Sequence, residues 1–501
     1  MSEAENRPEQ DRLTTGVPGL DAVLLGGFLR RGVYMLEGRP GGGKTILANQ
    51  LAFHHSLHGG RVLYVTLLAE THERLLQYIR QLSFFDEARI PEQIGYVSGF
   101  VALQDGGLKG LAELLRRECR EKRASLLVID GLVAAEERAE SHTEFKKFVQ
   151  ELQIHANLLG HTVLMLTTAA SGSVRPEHTM VDGVLNVSDN RVGRRAEREL
   201  EVRKLRGTDY LRGGHAFQIS STGISVFPRL EALYQEPQHD DGCTFTRIST
   251  GIATLDQALE GGIRCGSSTV LFGPTGASKT SIGLHFLSRC SAEEPGLLFG
   301  FYETPERVLV KAQALGIDLT PHVKAGHLAL HWFPSTERVL DALGHRLLES
   351  VRARNVKRLF VDGVDGFMTA ATYPERISTF LSALTNELRV RGVTTLYTSE
   401  LDHLFSTEVK LPLEGVSSLV ENILLTRFIE QQGHLKRVFS VIKTRDSGYD
   451  HTLRELRISD RGIELGERVE GDFGAQHNVS AAHGGTLRSL GRLLRKRGRQ
   501  S

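Results

Sequence analysis

Two glycine-rich segments each end in lysine-threonine: GRPGGGKT from Gly38 to Thr45 and GPTGASKT from Gly273 to Thr280. Glycines let a backbone curl until successive N–H groups face one point, which suits a phosphate. The lysine then reaches the outer phosphates and the threonine hydroxyl joins Mg²⁺. The first loop offers Gly38, Gly41, Gly42, Gly43, Lys44 and Thr45; the second offers Gly273, Thr275, Gly276, Ala277, Ser278, Lys279 and Thr280. Ser278 stands where the pattern expects its last glycine, and its Cβ disfavours a positive φ. Downstream, the apolar runs LLVID and RLFVD end at Asp130 and Asp362. An aspartate ending a strand before glycine is commonly a turn residue. Beside a phosphate loop it is the carboxylate that orients Mg²⁺ through a coordinated water. ATP and Mg²⁺ are the ligands these residues imply.

The elements that must position them occur twice. TGVPGLDAVLLGG returns as TGIATLDQALEGG, so Thr15, Gly16, Leu20, Asp21, Gly26 and Gly27 fall on Thr250, Gly251, Leu255, Asp256, Gly261 and Gly262. Gly38, Lys44 and Thr45 keep the same offset of 235 onto Gly273, Lys279 and Thr280. A looser correspondence joins Glu70 to Glu303, Asp130 to Asp362, and Lys204 and Arg206 to Lys443 and Arg445. A repeat this long marks a duplicated domain. In each copy short apolar runs (VYMLEG, VLYVTLL, LLVIDG, TVLMLTT; then STVLFG, GLLFGFY, RLFVDG, TTLYTS) alternate with amphipathic segments. That pattern predicts an α/β fold, two tandem P-loop NTPase domains, each a mostly parallel sheet flanked by helices. The expected organisation is a tail over 1–11, a first domain over 12–235, a polar linker over 236–246, a second domain over 247–466 and a basic tail over 467–501.

Composition narrows the function. Sixty-one basic residues against sixty acidic leave a net charge of +1, so no global attraction to nucleic acid or anionic membrane is expected. The four cysteines, Cys119, Cys243, Cys265 and Cys290, are widely spaced with no CxxC pair and read as reduced thiols. No run approaches the ~20 apolar residues a membrane span needs, and the polar N-terminus lacks a secretion signal, which places the expected protein in the cytoplasm.

The ordered set of TGxxxLDxxxxGG, phosphate loop, strand ending in Glu-Thr, aspartate and KLRGT resembles the KaiC family over about residues 12 to 465. The resemblance implies RecA-like ATPase domains, a homohexamer of two stacked rings, and KaiB-like or signalling-protein partners. In that family the second strand usually ends in two adjacent glutamates, one of them a base. Here the copies read LLAET and GFYET, with Ala69 and Tyr302 aligned to the first position and Glu70 and Glu303 left as candidate catalytic residues. Loss of a general base slows turnover by ~10²- to 10⁴-fold without preventing nucleotide binding. The cation pairs of KLRGT (Lys204, Arg206) and KTRDS (Lys443, Arg445) resemble a pair that reaches a neighbouring subunit's γ-phosphate. Ser417 and Ser418 align with the phosphorylated serine-threonine pair of KaiC's second domain, with Glu421 close behind.

The function expected from the resemblance is a slow ATPase in the first copy and serine autokinase activity in the second, with a regulatory, timer-like output. A recombinase acting on DNA is a rival reading. The near-neutral charge opposes it, as do the glutamates interspersed among Arg191, Arg194, Arg195, Arg198 and Arg203 without aromatics to stack bases. A non-catalytic ring held by nucleotide is the other, to which Ala69, Tyr302 and Ser278 point. The C-terminal LRSLGRLLRKRGRQS reads as a solubilising tail or a short amphipathic helix.

Overall fold

A computed structural model describes residues 11–68, 72–168, 176–235, 246–334, 336, 338–401, 419–445 and 448–469. The chain divides into two compact units, the first ending at Leu233 and the second beginning at Tyr234.

In the first unit one sheet contains β1 (Val33–Gly38), β2 (Val62–Thr66), β3 (Ile94–Ser98), β4 (Leu126–Asp130), β5 (Thr162–Thr167), β6 (Gly183–Val192), β7 (Arg195–Leu205), β8 (Gly214–Ser220) and β9 (Gly223–Phe227). Across the sheet they run β3-β2-β4-β5-β1-β6-β7-β8-β9. Strands β1 to β6 pair in parallel, and β6 to β9 extend the sheet by antiparallel pairing. The second unit contains β10 (Ser268–Gly273), β11 (Gly296–Gly300), β12 (Leu328–Trp332), β13 (Arg358–Asp362), β14 (Thr394–Glu400), β15 (Asn422–Gln431), β16 (His434–Lys443), β17 (Arg454–Ser459) and β18 (Gly462–Arg468). Their order, β12-β11-β13-β14-β10-β15-β16-β17-β18, repeats the first sheet strand for strand. Even the register slips match, at Val184/Leu185 in one copy and Ile423/Leu424 in the other.

The central strands read as unbroken apolar runs because both faces are covered. In the first unit the helix Lys44–Leu57 buries Leu47, Leu51 and Phe53 on one face. Phe100–Lys122 and His142–Leu159 cover the other. The latter helix starts where Ser141 accepts a hydrogen bond from the Glu144 amide and stops at Gly160, whose φ of 76° few other residues adopt. The antiparallel strands escaped the sequence reading because they alternate: β7, RAERELEVRKL, buries only Glu197, Leu200, Val202 and Leu205. The last strand runs to Arg468, which pairs with Arg454, so the second domain extends past Gly466.

The repeated TGxxxLDxxxxGG motif is structural. The Asp21 carboxylate accepts from the Thr15 amide at 2.9 Å, and Asp256 accepts from Thr250 at 2.7 Å. Gly27 and Gly262 have φ of 100° and 107°, and a Cβ on either would lie within 2.4 Å of the carbonyl oxygen of Leu13 or Ile248.

Candidate functional site

Each phosphate loop leaves the C-terminal end of the central strand and enters a helix at its lysine. Both loops turn alike: the Gly42 amide donates to the Arg39 carbonyl at 3.1 Å, and Ala277 donates to Pro274 at 3.3 Å. Lys44 Nζ donates to the carbonyls of Gly38 (2.7 Å) and Arg39 (3.0 Å), and Lys279 Nζ to those of Gly273 (2.7 Å) and Pro274 (2.9 Å). Burial lowers the pKa of both lysines, opposed by Asp130 in the first case and by Glu400, Asp362 and Asp365 in the second. Ser278 takes the left-handed conformation that Gly43 takes in the first copy, φ 70° against 96°, so the substitution preserves the loop's path at the cost of strain.

The magnesium-type pair forms in both copies. Thr45 Oγ1 donates to Asp130 Oδ2 at 3.0 Å, and Thr280 Oγ1 to Asp362 Oδ2 at 3.0 Å. Burial raises the pKa of both aspartates, against hydrogen bonds from Tyr64 and Thr45 for Asp130 and from Thr398 and Thr280 for Asp362. A hydroxyl and a carboxylate touching beside a lysine are a hard-oxygen set that fits Mg²⁺, an ion usually held by one or two protein oxygens, waters and phosphates. Among the described residues no group of three His, Cys, Asp or Glu side chains forms a metal cage.

Around this shared frame the copies diverge. Strand register makes Leu166 the counterpart of Thr398 and Thr168 that of Glu400, while Val133 stands where Asp365 does. The second cleft, about 400 Å³, is lined by Lys279, Thr280, Tyr302, Glu303, Lys311, Asp362, Asp365 and Glu400, among others. Asp365 accepts from Tyr302 OH at 3.3 Å, Ser399 Oγ at 3.2 Å and the Glu400 amide at 3.1 Å.

The register also corrects one sequence pairing. Thr66 pairs with Asp130 and Gly300 with Asp362, and a Cβ on Gly131 would meet Leu68 as one on Gly363 would meet Tyr302. Tyr302 therefore matches Leu68 rather than Ala69. The helices His72–Ile79 and Pro305–Ala314 then align through buried Leu75 with Val308 and Ile79 with Ala312. The first copy thus carries one extra residue between strand and helix, and a gap-free count places it wrongly. Glu303 lies at the cleft wall, ion-paired with Lys311 Nζ at 2.5 Å. Ala69 and Glu70 lie outside the described residues, as do Ser417 and Ser418.

Neither cation pair approaches its own copy's phosphate loop. Lys204 and Lys443 sit opposite Val184 and Ile423, near the amino-terminal end of the parallel strands. Lys204 Nζ donates to the carbonyls of His178, Thr179 and Val181, and Lys443 Nζ to that of Val420. Arg206 donates to the Thr179 carbonyl, so it and Lys204 share a face. The Arg445 amide donates to the Glu421 carbonyl. Glu421 itself accepts from the Ser268 amide at 2.7 Å and from Arg389 at 2.5 Å, anchoring the phosphate-loop strand. Sequence reading missed Arg437, whose Nε donates to the Gly276 carbonyl at 3.1 Å while its guanidinium lies over Phe428. Pairing of Asp189 with Arg198, and of Phe428 with Arg437, makes Arg198 its counterpart. Arginines at matching strand positions of the two copies were the available signal.

Two equal sheets, each with a phosphate loop on its central strand and an aspartate two strands away, define a tandem RecA-like P-loop NTPase. The family model "ATPase: KaiC" matches residues 13–231 and 248–470, and the chain belongs to that family. The circadian clock oscillator protein KaiC of Acaryochloris marina is 24% identical over 475 residues, covering 92% of this chain and 90% of that protein. KaiC of Parathermosynechococcus lividus is 25% identical, covering 94% and 88%. KaiC 1 of Synechocystis sp. is 25% identical, covering 92% and 91%. Among the described residues no helix is long and apolar enough to cross a membrane.

Proposed function

We propose that the chain is a cytoplasmic, KaiC-like Mg-ATP-binding ring protein, with slow ATP turnover at the first loop and phosphoryl-transfer chemistry at the second. The observation that carries this reading is the second cleft, where Glu303 and Asp362 line one cavity with Lys279 and Thr280. Lys44 and Lys279 would leave their loop carbonyls for the β- and γ-phosphates, and Arg437 would hold the second loop in register. Thr45 with Asp130, and Thr280 with Asp362, would hold Mg²⁺, which when bound offsets charge on the phosphates. Glu303 would accept the proton of the attacking hydroxyl as its oxygen bonds to the γ-phosphorus and the bond to ADP breaks. With water this is hydrolysis; with Ser417 or Ser418 it is autophosphorylation. Glu70 takes the corresponding role in the first copy.

The cation pairs support a homohexamer: Lys204, Arg206, Lys443 and Arg445 stand at the sheet end away from their own loops, where a neighbour's nucleotide would meet them. KaiB-like or signalling-protein partners are part of the same proposal.

The test is mass spectrometry after incubation with Mg-ATP, with phosphate release followed in parallel, on wild type, Lys44→Ala, Lys279→Ala and Glu303→Gln. Phosphoserine at Ser417 or Ser418 that vanishes in Lys279→Ala and Glu303→Gln establishes the autokinase. Release that depends on Lys44 alone leaves a first-copy ATPase. ATP-dependent assembly with neither signal leaves a ring held by nucleotide.

A further inference from the structure

Among the described residues, the ion pair between Lys311 and Glu303 has no equivalent in the first copy. The aligned helices place Tyr78 where Lys311 stands, and Tyr78 is held by Arg74 Nε at 2.9 Å. Lys311 lines the same cleft as Lys279 and Thr280, and its charge reaches Asp362. Its pair with Glu303 is solvent-accessible, with side chains 37% and 27% exposed, so it is readily exchanged. Lysine is a compact charge with three donors on a flexible stem, and a γ-phosphate carries more charge than one carboxylate.

We propose that Lys311 reads the nucleotide at the second loop: with ADP or no nucleotide it holds Glu303, and with ATP it moves to the γ-phosphate and leaves that carboxylate to take the proton. This rests on the reading of Glu303 as the base. The first loop, with Tyr78 in that place, lacks the device. The second copy therefore keeps its carboxylate masked until a transferable phosphate is present.

Titration of the full-length chain carrying Lys44→Ala, so that the second loop dominates binding, tests the proposal with ADP and a non-hydrolysable ATP analogue. Lys311→Met is expected to weaken the analogue about tenfold while ADP changes by less than about twofold, and Lys311→Arg to restore most of the difference. Glu303→Gln, which leaves Lys311 unshared, is expected to tighten the analogue several-fold and leave ADP unchanged. Equal losses for both nucleotides in Lys311→Met, or no change in either, overturn the proposal. Single-turnover phosphate release separates it from the reading beneath it. If Glu303→Gln releases phosphate at the wild-type rate while Lys311→Met still separates the two nucleotides, the base assignment fails and the lysine sensor stands.

Discussion

Thr398 donates to Asp362 Oδ1 at 2.9 Å from the strand position that Leu166 fills in the first copy. The first copy supports Asp130 from the opposite neighbour instead: Tyr64 OH donates to its Oδ2 at 2.9 Å, where the second copy has Leu298. Each carboxylate keeps one hydroxyl besides its loop threonine, supplied from a different strand. Next to Thr398 on β14, the Ser399 hydroxyl and the Glu400 amide both donate to Asp365.

Removing either hydroxyl should act on one unit alone. Tyr64→Phe leaves Asp130 with Thr45 as its side-chain donor, and Thr398→Val leaves Asp362 with Thr280. Each is expected to destabilise its own domain by about 1–2 kcal/mol, the usual cost of an unmet buried acceptor. Urea denaturation of nucleotide-free protein, followed by hydrogen exchange of each domain, checks this; a shift shared equally by both domains would refute the assignment.

Ser278 carries a Cβ at φ 70° where the first copy has glycine. Ser278→Gly should relieve that strain and stabilise the nucleotide-free second domain by roughly 0.5–1 kcal/mol, because the gain outweighs the added chain entropy of glycine. The reverse change, Gly43→Ser, also brings a Cβ to 3.0 Å from Ile219 Cδ1 and should destabilise the first domain. Denaturation midpoints of the two variants are expected to move in opposite directions.

The frame of the site was legible in the sequence because phosphate loops, strand-ending aspartates and the repeat offset are local patterns set by backbone geometry. What was not legible depends on neighbours far along the chain. Arg437 meets Gly276 across 161 residues, and Thr398 meets Asp362 only because β14 lies beside β13. The pairing of Tyr302 with Leu68 needed strand register, since one added residue in a connection leaves no mark in a gap-free count. The antiparallel strands were obscured by their alternating polarity, the normal signature of a half-solvated sheet.

Arg437 should matter through loop geometry. Its donation to the Gly276 carbonyl ties down a peptide within the phosphate loop, and its planar fork suits a second contact to phosphate. Arg437→Ala is expected to weaken nucleotide binding at the second loop about tenfold, with Arg437→Lys recovering little of it. Calorimetric titration of the two variants checks this, and full recovery by lysine would reduce the role to charge alone.

His285 gives the second domain an acid sensitivity that the first lacks at the matching place. Its Nε2 accepts from the Ile463 amide at 3.1 Å, as Gln50 Oε1 accepts from Ile224 at 2.8 Å in the first copy. Burial, aided by Arg289, lowers the His285 pKa from 6.5 to about 4. The unfolded chain therefore binds a proton that the folded one refuses, so stability is full above pH 6.5 and falls as pH drops toward 4. Allowing for solvent at the ring edge, the loss by pH 5 should be about 1 kcal/mol. His285→Gln, which installs the first copy's solution, should flatten that slope. Denaturation of the second domain at pH 7.5 and pH 5 measures it, and an unchanged slope in the variant would assign the acid sensitivity to other buried groups.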